Sequence, residues 1–188
     1  MSQTIEPRVF DRDIVFFDTE TTGLLPSAEL LEIGFVKVKA RTFEIIEEGD
    51  IKLKPAHIER ANAESLAIVG YDEEEWNREG VDRKTGLELF LQHTDGVMLA
   101  GHNVVFDRQH VESEREEHGI QPNFFYKSLD TFVMAWSLLG DHPEFEKFSL
   151  GELARYFNID QGRAHRAIDD AKTTYQVFLK LSELAQGV

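Results

Sequence analysis

The 188-residue sequence predicts an α/β domain in which helices flank a mixed central sheet, and three observations carry that expectation. Three β-rich stretches come first. Helical and short apolar segments then alternate to the end of the chain. With 41% hydrophobic residues the chain can fill one full core, so one domain over residues 1–188 is expected, its core spanning about 13–182.

The first strand is placed at 13–18, where Val15, Phe16 and Phe17 in succession suit burial on both faces. ELLEIGFVKVKA (29–40) and FEIIEEGDIKLKP (43–55) follow, each preceded by turn chemistry and joined by a short link, which predicts an antiparallel meander. HIERANAESLAIV (57–69) and DRKTGLELFLQH (82–93) have helical character, and VMLAGHN (97–103) reads as a short buried strand. VVFDRQHVESEREEHG is a helix ending at Gly119, with Asn103 as its N-cap. KSLDT (127–131) is the candidate last strand. Helices TFVMAWSLL and SLGELARYF, and one from about residue 167 to 185, complete the order. The runs YDEEEW (71–76) and ESEREEHG (112–119) read as solvated faces, and the glutamate of Leu31-Glu32-Ile33 as an ordinary edge residue.

Composition narrows the chemistry. A net charge of −15 argues against a protein that coats duplex nucleic acid by neutralising many phosphates, though a site gripping one chain end needs few basic contacts. Zero cysteines exclude disulfides, thiolate zinc sites and cysteine nucleophiles. Carboxylates and histidines remain as metal ligands, and oxygen donors favour magnesium or manganese. No run approaches a membrane span and the start lacks a signal-peptide layout, so a cytoplasmic protein without membrane contact is expected.

Three acidic stations and a histidine carry the functional reading. Asp18 and Glu20 project from one face at the end of the first strand, where two side-by-side carboxylates are costly to bury without a cation. GHNVVFD (101–107) leaves the fourth strand and puts Asp107 in a first helical turn, a place an acidic residue also takes as a partner of the helix dipole. His102, His110 and His118 show no ligand spacing and read as structural or exposed. In AHRAIDDA (164–171), five residues of helix turn through about 140°, so His165 and Asp170 could not share a face if both were helical. His165 therefore precedes the helix. Starting that helix near Ala167 aligns Asp170 with Thr174, Val177 and Leu181 towards the core, and Asp169 with Lys172, Thr173, Gln176 and Lys180 towards water. Phe124, Phe125, Tyr126, Phe145 and Phe148 offer surfaces for stacking bases, most of them better suited to the core.

In this order the stations resemble the DEDDh (DnaQ-like) 3′ to 5′ exonucleases. DTETTGL resembles the family's first motif; His102, Asn103, Phe106 and Asp107 match the second; His165, Ala167, Asp170 and Ala171 match the third. The resemblance implies a ribonuclease H-like fold with a central five-stranded mixed sheet. It implies two divalent ions, magnesium or manganese, gathered by Asp18, Glu20, Asp107 and Asp170. Asp18 would bridge them, Glu20 and Asp170 would complete the water-bearing site, and His165 would be the general base. Substrate contacts implied by resemblance are the backbone around Thr21 and Gly23, the Leu24 side chain and Asn103. The expected activity releases 5′-nucleotides from the 3′ end of single-stranded or frayed DNA. RNA 3′ ends, as in the ribonuclease T or oligoribonuclease branches, are the alternative, and a nonhydrolytic end-binding module is the reading from another class. ETTG rather than EMTG leans towards the DnaQ-like branch. A homodimer stays open, as does a polymerase partner, for which no binding tail is evident after the last helix.

Overall fold

The computed structural model describes residues 7–25 and 27–187. Its strands are β1 (Ile14–Thr21), β2 (Leu30–Val38), β3 (Ile45–Lys52), β4 (Met98–Gly101) and β5 (Ser128–Asp130). They form one sheet in the order β3-β2-β1-β4-β5. The first three are antiparallel and the last two join parallel on the other side of β1, which is the mixed sheet expected. The helices are α1 (Ala63–Val69), α2 (Glu73–Glu79), α3 (Arg83–Gln92), α4 (Val104–Glu117), α5 (Thr131–Leu139), α6 (Leu150–Phe157) and α7 (Ala167–Ala185).

Central β1 is buried on both sides, as its sequence demands. Val15 and Phe17 pack with α3 and α4, while Ile14 and Phe16 pack with α7. Strand alternation thus assigns Asp18 and Glu20 to the α7 face and Thr19 to the α4 face. Gly34 is the register partner of Asp18, and a Cβ there would run into the backbone of Ala167 and Ile168. Glycine lets the first turn of α7 rest directly on β2. That contact sets where Asp170 can stand.

Four local expectations need correction. The 57–69 stretch is not one helix, because the Asn62 side chain accepts from Glu64 N (2.8 Å) and Ser65 N (3.0 Å) and starts α1 there, after a single 3₁₀ turn at Ile58–Arg60. YDEEEW is not merely a solvated face: Trp76 is buried with its indole donating to Leu31 O at 3.0 Å, and Glu75 pairs with Lys52 at 2.9 Å. In ESEREEHG, Glu114 is buried and holds Arg83 at 2.8 Å. Glu32 is no edge residue, since β2 lies between β1 and β3 and its side chain is fully buried. Charge counting misses such residues because a salt bridge, not water, solvates them. No helix among the described residues is long and apolar enough to cross a membrane.

Candidate active site

The end of β1 gathers the stations from both faces of the sheet. On the α4 face Asp107 is buried, and its Oδ1 accepts from both the N–H and the hydroxyl of Thr19, each at 2.8 Å. On the α7 face Glu20, His165 and Asp170 each bring one ligand-capable atom within 4.8 Å of one another. Asp18 stands between these groups and feels the charges of Asp107, Asp170 and Glu20. The helical phase holds for Asp170, since Thr174, Val177 and Leu181 are all buried. Thr173, expected on the wet side with Asp169, is instead buried, its hydroxyl donating to Asp169 O at 2.8 Å.

Electrostatics of this cluster are unbalanced. Burial first, and then Asp107, Asp170 and Glu20, holds the Asp18 carboxyl well above its ordinary range. Burial followed by the charges of Asp170, Glu32 and Asp107 pushes Glu20 up to about 8. Asp107 is raised to about 7 by burial, against the lowering effect of its two Thr19 bonds. Asp170 is raised by burial and partly restored by the N–H of His165, which donates to Oδ2 at 2.9 Å. A group of carboxylates that repel one another out of water is a donor set for a hard divalent cation. With one imidazole beside them and no cysteine in the chain, the residues fit magnesium or manganese.

His165 is exposed and lies at φ 63°, ahead of α7, as its spacing requires. Asn103 also has a left-handed backbone, φ 60°, and its side chain makes no capping bond. Asn103 thus holds the N-cap position expected of it, but without a side-chain bond. Asp130 does that work, accepting from Asn103 N and Val104 N at 3.1 Å each, which leaves the exposed Asn103 amide available. His102 pairs with Thr131 Oγ1 at 3.0 Å and His110 is buried, so both are structural as expected.

The segment after Glu20 separates into a base and a tip. Thr21 and Gly23 are buried, with the Thr21 hydroxyl donating to Gly23 O at 2.7 Å. Leu24 at the tip is 81% exposed. Of the five aromatic residues singled out for stacking, Tyr126 is exposed, whereas Phe145 and Phe148 stack on each other at 4.7 Å beside α6. Thr19, Glu32, Gly34, Asp130 and Arg166 were all missed as supporting residues. Glu32 alone had a usable signal: a carboxylate inside the apolar run LLEIGF raises the same question as Asp18 in VFFDTE.

A family profile described as "Exonuclease", of the RNase T type, matches residues 15–178. The chain belongs to this exonuclease family. Among its relatives, a "DNA polymerase III PolC-type" protein of Caldanaerobacter subterraneus subsp. tengcongensis is 29% identical over 181 residues. That match takes in 94% of the chain and 12% of the polymerase, so the chain spans a small part of such relatives. Escherichia coli exonuclease I in complex with a dT13 oligonucleotide superposes with a TM-score of 0.79 at 21% identity, over 94% of this chain and 42% of that one. A zinc-bound exonuclease I–single-stranded DNA complex from E. coli gives 0.78 at 20%, over 94% and 41%. These exonuclease family likenesses establish the ribonuclease H-like fold.

Proposed function

We propose that this chain is a single 3′ to 5′ exonuclease domain acting on single-stranded or frayed DNA with two divalent cations, magnesium or manganese. The observation that carries it is the convergence of Glu20, His165 and Asp170 on one side of Asp18, with Asp107 reaching in from the other. Asp18, Glu20, Asp107 and Asp170 would hold the cations. When bound, the cations supply positive charge to the attacking and leaving oxygens and make a water more acidic.

His165 takes the proton of the attacking water as its oxygen bonds to the terminal phosphorus. The bond from that phosphorus to the 3′ oxygen of the preceding nucleotide breaks, and this oxygen regains a proton as a 5′-nucleotide leaves. Leu24, exposed at the tip of the segment after Glu20, and the Asn103 amide contact the substrate. Thr21 and Gly23 shape the turn that presents Leu24.

DNA as substrate is supported by kinship with PolC-type polymerase segments and by likeness to an enzyme that binds dT13. The same kinship supports proofreading beside a polymerase, in which a frayed mismatched end is removed faster than a paired one. The test uses 5′-labelled DNA and RNA strands of one sequence with magnesium, beside Asp18→Ala. A ladder shortening from the 3′ end, lost with Asp18→Ala or EDTA, is the expected result; faster cutting of RNA would reverse the sugar choice.

A further inference from the structure

Arg166 lies between exposed His165 and the buried start of α7, and its guanidinium turns inward. It stands 2.8 Å from Glu32 Oε1, 3.6 Å from Asp50 Oδ2 and 3.3 Å from Glu75 Oε1, joining β2, β3 and α2. A backbone bond adds to the same anchor, since Ala167 N donates to Glu32 Oε2 at 3.4 Å. Glu32 is fully buried, and removing one member of such a pair leaves an uncompensated charge.

The neighbour of this anchor is under strain. His165 occupies the left-handed region, where the β-carbon of an L residue crowds the following carbonyl. Its backbone is held on one side by the N–H bond to Asp170 and on the other by Arg166. Strain of this kind persists where the surroundings over-determine the conformation.

We infer that Arg166, locked by Glu32, Asp50 and Glu75, is a positioning residue that fixes the pivot from which His165 reaches the catalytic carboxylates. A lysine cannot replace it, because one ammonium does not span carboxylates from three elements as a planar guanidinium does. The charged run at 71–76 then has a task, because its Glu75 is one tie of this lock. The inference rests on the proposed role of His165 as the base.

Single-turnover cleavage of a 5′-labelled DNA strand, strand affinity and magnesium dependence are measured for wild type, Arg166→Gln, Glu75→Gln, Asp50→Asn and His165→Ala, and for each of the first three substitutions combined with His165→Ala. Arg166→Gln is expected to slow cleavage by about 10²-fold, the scale of a misplaced catalytic group. Strand affinity should stay within about 3-fold and the magnesium midpoint should hold. Glu75→Gln should cost several-fold. In the His165→Ala background neither substitution should slow cleavage further, because both act through a group already gone. Full-rate Arg166→Gln, a second loss added to that of His165→Ala, or a shifted magnesium midpoint overturns the inference. The last two outcomes would make Arg166 a support of the helix bearing Asp170. If Arg166→Gln does not fold, Glu75→Gln and Asp50→Asn decide the matter by the same non-additivity. Wild type inert on every strand would sink the exonuclease reading and this inference together; active wild type with unchanged Arg166→Gln sinks the inference alone.

Discussion

The two flanks of the site are built differently. On the α4 flank Asp107 is buried and bonded twice to Thr19, one residue from each of the β1 carboxylates. On the α7 flank Asp170 is only partly buried, and His165 is exposed on a strained loop residue. One flank fixes a carboxylate against the sheet, and the other sets an exposed imidazole ahead of a helix. The difference teaches that one cluster can combine a carboxylate buried under two hydrogen bonds with an imidazole that faces solvent.

The sharpest way to break this comparison is at its exposed end. His165→Ala should lower single-turnover cleavage by roughly 10²–10⁴-fold while strand binding is kept, because a general base acts in the chemical step. Unchanged turnover would remove it from the chemistry. Next, Asp107→Asn and Asp170→Asn should each lose about 10²-fold or more in cleavage, on the order of a missing transition-state charge. They should differ in magnesium dependence, with Asp170→Asn shifted further because it belongs to the Glu20–His165 cluster. Equal shifts would say that the flanks are equivalent.

Acid should stabilise the metal-free protein. Glu20 at about 8 and Asp107 at about 7 are raised in the fold, so the native state holds more protons than the unfolded chain. Their contribution is fully present below pH about 4, where unfolded carboxylates are protonated, and is lost as pH rises through 7 to 8. Tm in EDTA should therefore fall from pH 5 to pH 8.5. Magnesium should restore it, and Asp107→Asn should flatten the profile. A Tm that rises across this range would reverse the assignment.

Smaller effects sharpen the contrast. Thr19→Val keeps the N–H bond to Asp107 and removes the hydroxyl bond, and a loss of roughly 10-fold in activity is expected, as for groups that orient a ligand. Asp169→Asn should leave turnover nearly intact and cost about 1 kcal/mol, because its Oδ2 accepts from Arg163 N at 3.0 Å. A dead Asp169→Asn beside an active Asp170→Asn would shift the third motif by one residue.

The mixed sheet and the gathering of Asp18, Glu20, Asp107, His165 and Asp170 at the end of β1 were legible in the sequence, because alternation and helical phase are local rules that Asp18, Glu20 and Asp170 obey. What supports them was not. Glu32, Arg166 and Gly34 act across strand register and helix docking, over separations such as the 135 residues between Glu32 and Ala167. Asn103 shows the same limit: its type and position suit a cap, yet Asp130 from another strand takes the bonds. An ideal helical wheel turns Thr173 outward, whereas the loop around Gly162 and Arg163 folds back over that side.

Gly34 carries no functional group and touches the start of α7. A Cβ at this position would meet only backbone, and backbone cannot rotate away. In a saturation library selected for nuclease activity, position 34 should collapse to one amino acid while solvent-facing Lys39 accepts many. A map of tolerance drawn from such a library would mark residue 34 as brightly as Asp18, although it carries no functional group. Part of what such maps register as chemistry would here be clearance, the lack of a methyl group where the backbone of α7 already stands.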